Sequence, residues 1–337
     1  MKRFDYLKAA SIREAVSALA GDPKARMIAG GTNLVDLMKY DVEAPGLLVD
    51  INGLDLKRIE ETETGYRIGA LVTNSDLAYH PGVVRRFPLL ASAILAGASP
   101  QLRNAATTGG NINQRTRCYY FYDPATRCNK RQPGSGCDAI GGVTRIHAIL
   151  GASEACIATH PSDMCVALAA LDAVVEVEGP EGRRDIAFLD YHRLPGDTPE
   201  RDNTLRHGEI VTAIRLEGEA AARHHTYLKL RDRLSYAFAL VSAAVDLKIE
   251  NGKISRARVA LGGVAHKPWR DLDAEGMLVG REPSAEATDA FAARLLAGAK
   301  GQGGNDFKIT LAERVIRRAL RQAAAGTPQI QHEKAIA

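Results

Sequence analysis

The chain is poor in several things that would each have pointed to a function class. It has one tryptophan and 5% aromatic residues among 337, and no run of about 20 apolar residues, which argues against a membrane-spanning helix. The N-terminus, MKRFDYLKAASIREAV, lacks an apolar signal core and a twin arginine, so the chain is not expected to be exported on its own signal. Neither charge sign is in large excess: 44 Lys and Arg stand against 40 Asp and Glu, a formal +4. There is no internal repeat and no low-complexity tract. The nine histidines (80, 147, 160, 192, 207, 224, 225, 266 and 332) show no ligand spacing, and none is assigned a role. Cysteines number only five, with no C-x2-4-C pair, so zinc knuckles and a secreted disulfide framework are both disfavoured. What remains is an ordinary soluble composition, 45% hydrophobic and 25% charged, long enough for two or three domains.

All five cysteines, however, fall in one stretch, Thr107 to Cys165. From Arg103 to His147 there are seven Lys or Arg against Asp123 and Asp138, so a segment of net +5 sits in a nearly neutral chain. Thiols gathered in a positive field suit an anionic metal–thiolate centre, which cations and N–H groups stabilise. Buried free cysteines beside a solvated basic loop are the plainer alternative, but such thiols seldom collect in a Gly/Pro-rich basic loop. The wide spacing of Cys118, Cys128, Cys137 and Cys156 fits a cluster wrapped by a long loop. Cys165 falls in the helical run MCVALAALDA and reads as a packed thiol. Gly134 to Ala139 matches G-x-G-x-x-A, but Arg131-Gln132-Pro133 precedes it where a strand is required, so it is rejected as a dinucleotide loop. Two other readings stay open: a zinc-stabilised scaffold, and an iron–sulfur protein whose Arg115, Arg117, Arg127, Lys130 and Arg131 contact nucleic-acid phosphates.

Taken in order, Ser11-Ile12-Arg13-Glu14 is a capping box for a helix to about Ala20. A strand at 25–29, the turn Gly30-Gly31-Thr32-Asn33, a helix LVDLMKY and a strand at 47–51 form a β–α–β unit. Glycines at the strand-to-helix junction allow close backbone approach, and free N–H groups there attract phosphate. A strand at 66–72, a helix capped by Thr73, and helix 84–96 interrupted near Pro88 lead to a second turn, Thr107-Thr108-Gly109-Gly110-Asn111. Two such cradles suggest an extended dinucleotide whose pyrophosphate is held by main-chain groups from both. Beyond the cysteines come a helix from Pro161-Ser162-Asp163 to about Leu171, a hairpin 173–188, and a strand EIVTAIRL. The Ala-rich segment 217–223 marks a boundary. The last third has strands around an Asn251-Gly252 turn, then helices at 284–299 and 306–325, with Gly326 and Pro328 as the stop.

Four motifs occur in a telling order: Ala29-Gly30-Gly31-Thr32-Asn33-Leu34, Thr107-Thr108-Gly109-Gly110-Asn111-Ile112, Pro161-Ser162-Asp163 and Lys229-Leu230-Arg231-x-Arg233. Together they resemble the FAD-binding subunits of molybdenum hydroxylases of the xanthine dehydrogenase and aldehyde oxidoreductase type, over nearly the whole chain including VALGGVAHKPWR. The cysteine-bearing insertion is similar to the branch with an extra [4Fe-4S] cluster, that of bacterial periplasmic aldehyde oxidoreductases and, more distantly, 4-hydroxybenzoyl-CoA reductase.

That resemblance implies an α+β fold: a two-lobed PCMH-type FAD-binding domain at 1–219 (lobes about 1–52 and 53–219, cluster loop about 113–157). A C-terminal antiparallel sheet with helices follows at 224–325, like the CO dehydrogenase flavoprotein C-terminal domain, then a tail at 326–337. It further implies that Met27, Ile28, Ala29, Gly30, Gly31, Thr32, Asn33 and Leu34 hold the FAD pyrophosphate. Thr107, Thr108, Gly109, Gly110 and Asn111 would contact the same group and the ribityl chain, and Asp163 would accept hydrogen bonds from the cofactor. Val211 would line the adenine pocket, and Lys229 would sit near the flavin or phosphates. Cys118, Cys128, Cys137 and Cys156 would bind [4Fe-4S]. No side chain is expected to act as a catalytic acid or base. The implied partners are a molybdenum-cofactor large subunit and a [2Fe-2S] small subunit, with no nucleic acid and no membrane. The expected compartment is the cytoplasm, or the periplasm by co-export with a partner bearing a twin-arginine signal.

Overall fold

The computed structural model describes residues 1–218 and 220–328. The part of the expected tail from 329 onward lies outside the described residues. Three sheets organise the rest. The first is parallel, in the order β1-β3-β2, from β1 (Asp5–Lys8), β2 (Ala25–Ile28) and β3 (Leu47–Asp50). Helices α1 (Ile12–Gly21) and α2 (Leu34–Lys39) make its crossovers. The capping box is present but displaced by one residue. Ser11 Oγ accepts from the Glu14 N–H at 3.1 Å, while Glu14 Oε2 accepts from the Ala10 N–H at 2.8 Å. Strand β1 has no counterpart in the sequence reading: DYLK is short, carries two charges and is mostly exposed, so its pairing comes from the neighbouring β3 edge rather than from apolar alternation.

The second sheet is antiparallel, ordered β4-β5-β8-β6-β7. Its first two strands are β4 (Ile59–Glu61) and β5 (Gly65–Gly69). Between β5 and the later strands lie α3 (Asn74–Tyr79), α4 (Pro81–Arg86), α5 (Pro88–Ala96), α6 (Pro100–Ala105), α7 (Thr108–Ile112), the single turn α8 (Tyr119–Tyr122) and α9 (Asp163–Ala170). Strands β6 (Val174–Gly179) and β7 (Gly182–Ala187), the turn α10 (Phe188–Tyr191) and β8 (Ile210–Glu217) complete it. Pro88 breaks the expected long helix into α4 and α5, because its ring cannot follow a helical residue. Helices α5 and α9 are apolar on nearly every face and pack against each other inside the core, with Leu89, Leu90, Ala93, Leu168 and Ala169 buried.

The third sheet, β11-β10-β9, contains β9 (His225–Leu230), β10 (Val241–Glu250) and β11 (Lys253–Gly262). The hairpin turns at Asn251 and Gly252, both at positive φ (52° and 76°), as a type I′ turn demands. Helix α11 (Leu272–Gly276) follows, then α12 (Ala285–Leu295) and α13 (Phe307–Ala325). Buried positions 312, 315, 316, 319, 320 and 323 of α13 recur every three or four residues and lie on the sheet. Gly326 ends the helix at φ 67°.

The long segment between α7 and α9 has almost no regular structure, yet its second half is latched to the C-terminal sheet. The N–H groups of Ile149 and Leu150 both donate to Val264 O, at 2.9 and 3.0 Å, and Lys300 N–H donates to Ile149 O at 2.8 Å. The fully buried Lys308 ammonium donates to the carbonyls of His147 (2.8 Å) and Gly263 (2.5 Å). Burial pulls its pKa down to about 7.

Candidate functional sites: a glycine-edged cleft and a four-cysteine cavity

A cleft of about 780 Å³ opens between the first lobe, the helices that follow β5 and the third sheet. Thr32 and Asn33 reach it from the end of β2, Gly110 and Asn111 from α7, Asp163 from α9, and Lys229 from β9. The two glycine turns meet at its edge. A Cβ on Gly30 would lie 1.8 Å from Ala105 O, so the first turn can approach α6 only as glycine. Arg115 N–H donates to Asn33 Oδ1 at 2.9 Å, tying the same turn to the start of the cysteine loop.

The turns differ in what they can offer a ligand. Among the described residues, no acceptor takes the backbone N–H groups from Gly30 to Leu34. At the second turn those groups are committed. Thr108 N–H donates to Val72 O (2.8 Å), Gly109 N–H to Ala70 O (2.8 Å), Gly110 N–H to Thr107 Oγ1 (3.2 Å), and Asn111 N–H to Thr107 O (2.8 Å). The second segment is thus a short capped helix, in which the Gly110 and Asn111 N–H groups bond Thr107 while those of Thr108 and Gly109 tie it to Val72 and Ala70. Side chains near it supply donors instead. Asn33 Nδ2, Asn74 Nδ2 and Arg103 Nε line the cleft or its wall, are buried, and have no partner. Unpaired buried donors around a roomy cleft fit an acceptor-rich ligand such as the pyrophosphate and ribityl groups of FAD.

Asp163 and Lys229 form a buried pair on the cleft wall, Nζ to Oδ2 2.8 Å. Lys229 also donates to Ala96 O (3.1 Å), and the Tyr227 hydroxyl donates to Asp163 Oδ1 at 2.6 Å. The helix cap here is Ser162, whose Oγ accepts from Cys165 N–H at 3.0 Å, so the Asp163 side chain is not spent on capping and instead anchors Lys229 and Tyr227. Met27 and Ile28 lie within β2, registered with Val49 and Asp50, and position the turn rather than line the cleft. Val211 is placed elsewhere: it is 4% exposed in β8, opposite Val177, inside the core. Sequence reasoning missed Asn74, Arg103, Arg117, Tyr122, His160 and Phe238 of the cleft lining. Asn74 lay beside the Thr73 cap and His160 beside the Pro161-Ser162-Asp163 motif, and Arg117 was seen only as part of the basic segment.

The second site lies on the far side of α8. Cys118, Cys128, Cys137 and Cys156 line one small cavity of about 10 Å³ with Tyr120 and Phe121, whereas Tyr119 and Tyr122 line the cleft. A single helical turn is thus the wall between them. Cys128 and Cys137 face each other across an isolated antiparallel bridge, and none of the five cysteines is in a disulfide. Cys165 is fully buried in α9, away from this cavity. Burial first, then the neighbouring thiols, pushes Cys118 up to about 12 and Cys156 up to about 11. Four thiols lining one cavity are the donor type that metal–thiolate centres use, and such a centre would supply the positive charge thiolates need.

The basic field expected around these cysteines is largely neutralised. Arg115 is paired with Glu43 (2.6 Å) and Asp202 (2.8 Å), Arg127 with Asp138 (2.7 Å), and Arg145 with Asp232 (2.5 Å). Arg131 donates to the carbonyls of Tyr120, Phe121 and Thr126, bracing α8. Lys130 is buried on the cavity wall, its Nζ 2.5 Å from Asp202 Oδ1, 2.6 Å from His266 Nε2 and 2.7 Å from Pro199 O. Burial pushes the Asp202 carboxyl up, but Lys130 and Arg115 outweigh it and hold the group well below the usual range. Cations already paired with carboxylates and carbonyls in this way do not favour the nucleic-acid reading.

Three histidines passed over in the sequence sit close to these sites. His147 Nε2 lies 3.1 Å from Cys118 Sγ. His160 and His192 stack tilted at 4.3 Å between ring centroids, within 4.8 Å of the Cys165 sulfur by their nearest ligand atoms, and burial keeps both below the usual imidazole range.

A parallel β–α–β lobe joined to an antiparallel sheet, with a dinucleotide-sized cleft against a third sheet, defines a two-domain nucleotide-binding protein of the flavoprotein kind. Residues 2–216 match the family model "FAD binding domain in molybdopterin dehydrogenase", and residues 225–323 match "CO dehydrogenase flavoprotein C-terminal domain". The chain belongs to the FAD-binding medium subunits of the molybdenum hydroxylase family, and is an oxidoreductase subunit. It is 50% identical over 327 residues to the aldehyde oxidoreductase FAD-binding subunit PaoB of Escherichia coli K12, covering 96% of this chain and 99% of that one. It is 29% identical to the carbon monoxide dehydrogenase medium chain of Afipia carboxidovorans over 96% of this chain and 97% of that one. Among solved structures, the reconstituted CO dehydrogenase of Oligotropha carboxidovorans aligns with a TM-score of 0.76 at 27% identity, over 96% of this chain and 98% of that one.

Proposed function

We propose that this chain is the FAD- and [4Fe-4S]-carrying electron-transfer subunit of a molybdenum-dependent aldehyde oxidoreductase. Its partners would be a large subunit with the molybdenum cofactor, where the aldehyde is oxidised, and a small subunit with [2Fe-2S] clusters. The role of this chain is to pass electrons from those clusters to an external acceptor. Aldehyde as the substrate class is supported by the 50% identity to an aldehyde oxidoreductase subunit.

The observation that carries this reading is the two-faced helix α8. Cys118, Tyr120 and Phe121 border a four-cysteine cavity, while Tyr119 and Tyr122 border a cleft edged by free N–H groups from Gly30 to Leu34. Those N–H groups and the unpaired Asn33 and Asn74 amides would bind the pyrophosphate, with Gly30, Gly31 and Thr32 keeping the backbone close. Gly110 and Asn111 would border the ribityl chain, and Lys229, fixed by Asp163, would place a positive charge on the cleft wall. Cys118, Cys128, Cys137 and Cys156 would ligate the cluster. Bound flavin supplies exchange between one-electron and two-electron transfer. The chain's residues bind and orient, and none needs to move a proton.

The test is flavin, iron and sulfide analysis of the purified assembly. About one FAD, about four iron and about four sulfide per chain are expected for these two groups. Colourless protein with neither flavin nor iron, handled anaerobically, would overturn the proposal. In Cys128→Ser assemblies that retain FAD, the rate of flavin reduction by an aldehyde then reports whether the cluster site conducts: a slowed rate assigns it a conducting role, and an unchanged rate a structural one.

A further inference from the structure

Of the side chains around the cysteine cavity, one imidazole has an unusual position. His147 is 1% exposed, and its Nε2 lies 3.1 Å from Cys118 Sγ. Its other nitrogen, Nδ1, is buried without a partner. The residue is held from both sides: its N–H donates to Thr144 O at 2.9 Å, and its carbonyl accepts from Lys308 Nζ (2.8 Å) and Asn305 Nδ2 (2.9 Å). The ring leans on Tyr120, centroids 6.3 Å apart. With backbone and ring both fixed, Nε2 has little freedom to turn away from the sulfur.

We propose that His147 is a positioning residue for the cysteine site: its Nε2–H donates a hydrogen bond to the Cys118 thiolate and raises the reduction potential of the cluster bound there. The inference rests on the iron–sulfur reading above. A buried neutral imidazole carries one ring proton, and metal ligation makes the Cys118 sulfur an acceptor. Placing that proton on Nε2 satisfies the sulfur, whereas placing it on Nδ1 would set two lone pairs face to face and leave a donor orphaned. When the site takes up one electron, from the reductant in a titration, the added negative charge spreads onto the ligating sulfurs. A fixed N–H donor therefore favours the reduced form, as hydrogen bonds to cluster sulfurs do generally. The backbone N–H groups of Tyr120 and Phe121 also face this sulfur, so His147 adds a third donor to one ligand.

The experiment is a potentiometric titration of the whole assembly, following the low-temperature paramagnetic signal of the reduced cluster, in wild type, His147→Phe and His147→Gln. Phenylalanine fills the space without a donor; glutamine returns an N–H near the Nε2 position. At a fixed potential, the ratio of reduced to oxidised cluster should fall about tenfold in H147F, the effect of one hydrogen bond to a charged acceptor. It should stay within about threefold of wild type in H147Q. Full iron content with an unmoved potential in H147F overturns the inference. If H147F loses iron while H147Q keeps both iron and the wild-type potential, the donor role stands. Loss of iron in both variants overturns it in favour of simple packing. A wild-type assembly without iron would instead refute the cluster reading itself, a result distinct from all of these.

Discussion

The two sites on either side of α8 are built in opposite ways. The cleft is edged by regular elements whose geometry is complete without a ligand: β2 runs into α2, α7 is capped by Thr107, and β9 carries Lys229. Its unsatisfied groups are a few N–H donors facing open space. The cysteine cavity is walled by a loop with one turn of helix, held by ion pairs, side-chain bonds to carbonyls and latches onto the C-terminal sheet. Its unsatisfied groups are buried thiols. A preformed cleft can lose its ligand and keep its shape, whereas an irregular loop whose ligands converge only in the folded state couples binding to folding. Each prediction below compares one side with the other.

The largest effect should follow Cys128→Ser, which removes one of the four cysteines proposed as cluster ligands. Iron should fall to below about a quarter of the wild-type content, since incomplete ligand sets seldom retain a cluster. Limited proteolysis should then cut within 113–157, while FAD stays within about a tenth of wild type because the cleft does not depend on the loop's ligand. Equal loss of FAD and iron would show that the two sites fold as one unit and break the contrast.

Next comes Asp202→Ala, which leaves Lys130 and Arg115 as buried cations without their shared carboxylate. Breaking a buried network of this kind costs about 3–5 kcal/mol, measured as loss of thermal stability and of iron. The pH dependence has a definite sign. The folded Asp202 carboxyl titrates below its unfolded value of about 4, so its contribution is fully present above about pH 4 and drains away as pH falls below it. Wild type should lose stability steeply below about pH 4, and the alanine variant should lack that part of the slope.

How much of this was legible in the sequence depended on whether local chemistry or tertiary pairing set the answer. The Ser11 cap, the Asn251-Gly252 turn, the Pro88 break and the Gly30-Gly31 junction are each fixed by a few adjacent residues, and each appears in the structure. The charge of the 103–147 segment was visible, but not its neutralisation, because Glu43, Asp202 and Asp232 come from distant parts of the chain. The engagement of the Thr108 and Gly109 N–H groups was hidden for the same reason: their partners, Val72 and Ala70, lie about 40 residues upstream. The histidines escaped notice because ligand spacing is a one-dimensional signal, and His147 meets Cys118 across 29 residues of irregular loop.

On the cleft side, Gly30→Ala should weaken FAD binding about 100-fold, roughly 3 kcal/mol, because the new Cβ cannot share space with Ala105 O and the turn must retreat from α6. Flavin content after dialysis would check this. Iron should be unchanged if the two sites are as independent as their construction suggests.

The smallest and most discriminating change is Asn33→Asp. Asn33 serves both sites: its Oδ1 accepts from the Arg115 N–H at the root of the cysteine loop, and its unpaired Nδ2 lines the cleft. Aspartate keeps the acceptor for Arg115 but replaces the donor with an oxygen and adds a negative charge near the N–H groups expected to hold pyrophosphate. FAD affinity should fall about tenfold, the loss of one donor to a charged acceptor, with iron content and the cluster's reduction potential unmoved. Asn33→Ala, which removes the acceptor as well, should reproduce the flavin defect and in addition loosen the loop, read as faster proteolysis within 113–157. If the two substitutions behave alike on the loop, the Asn33–Arg115 bond does not transmit between the sites.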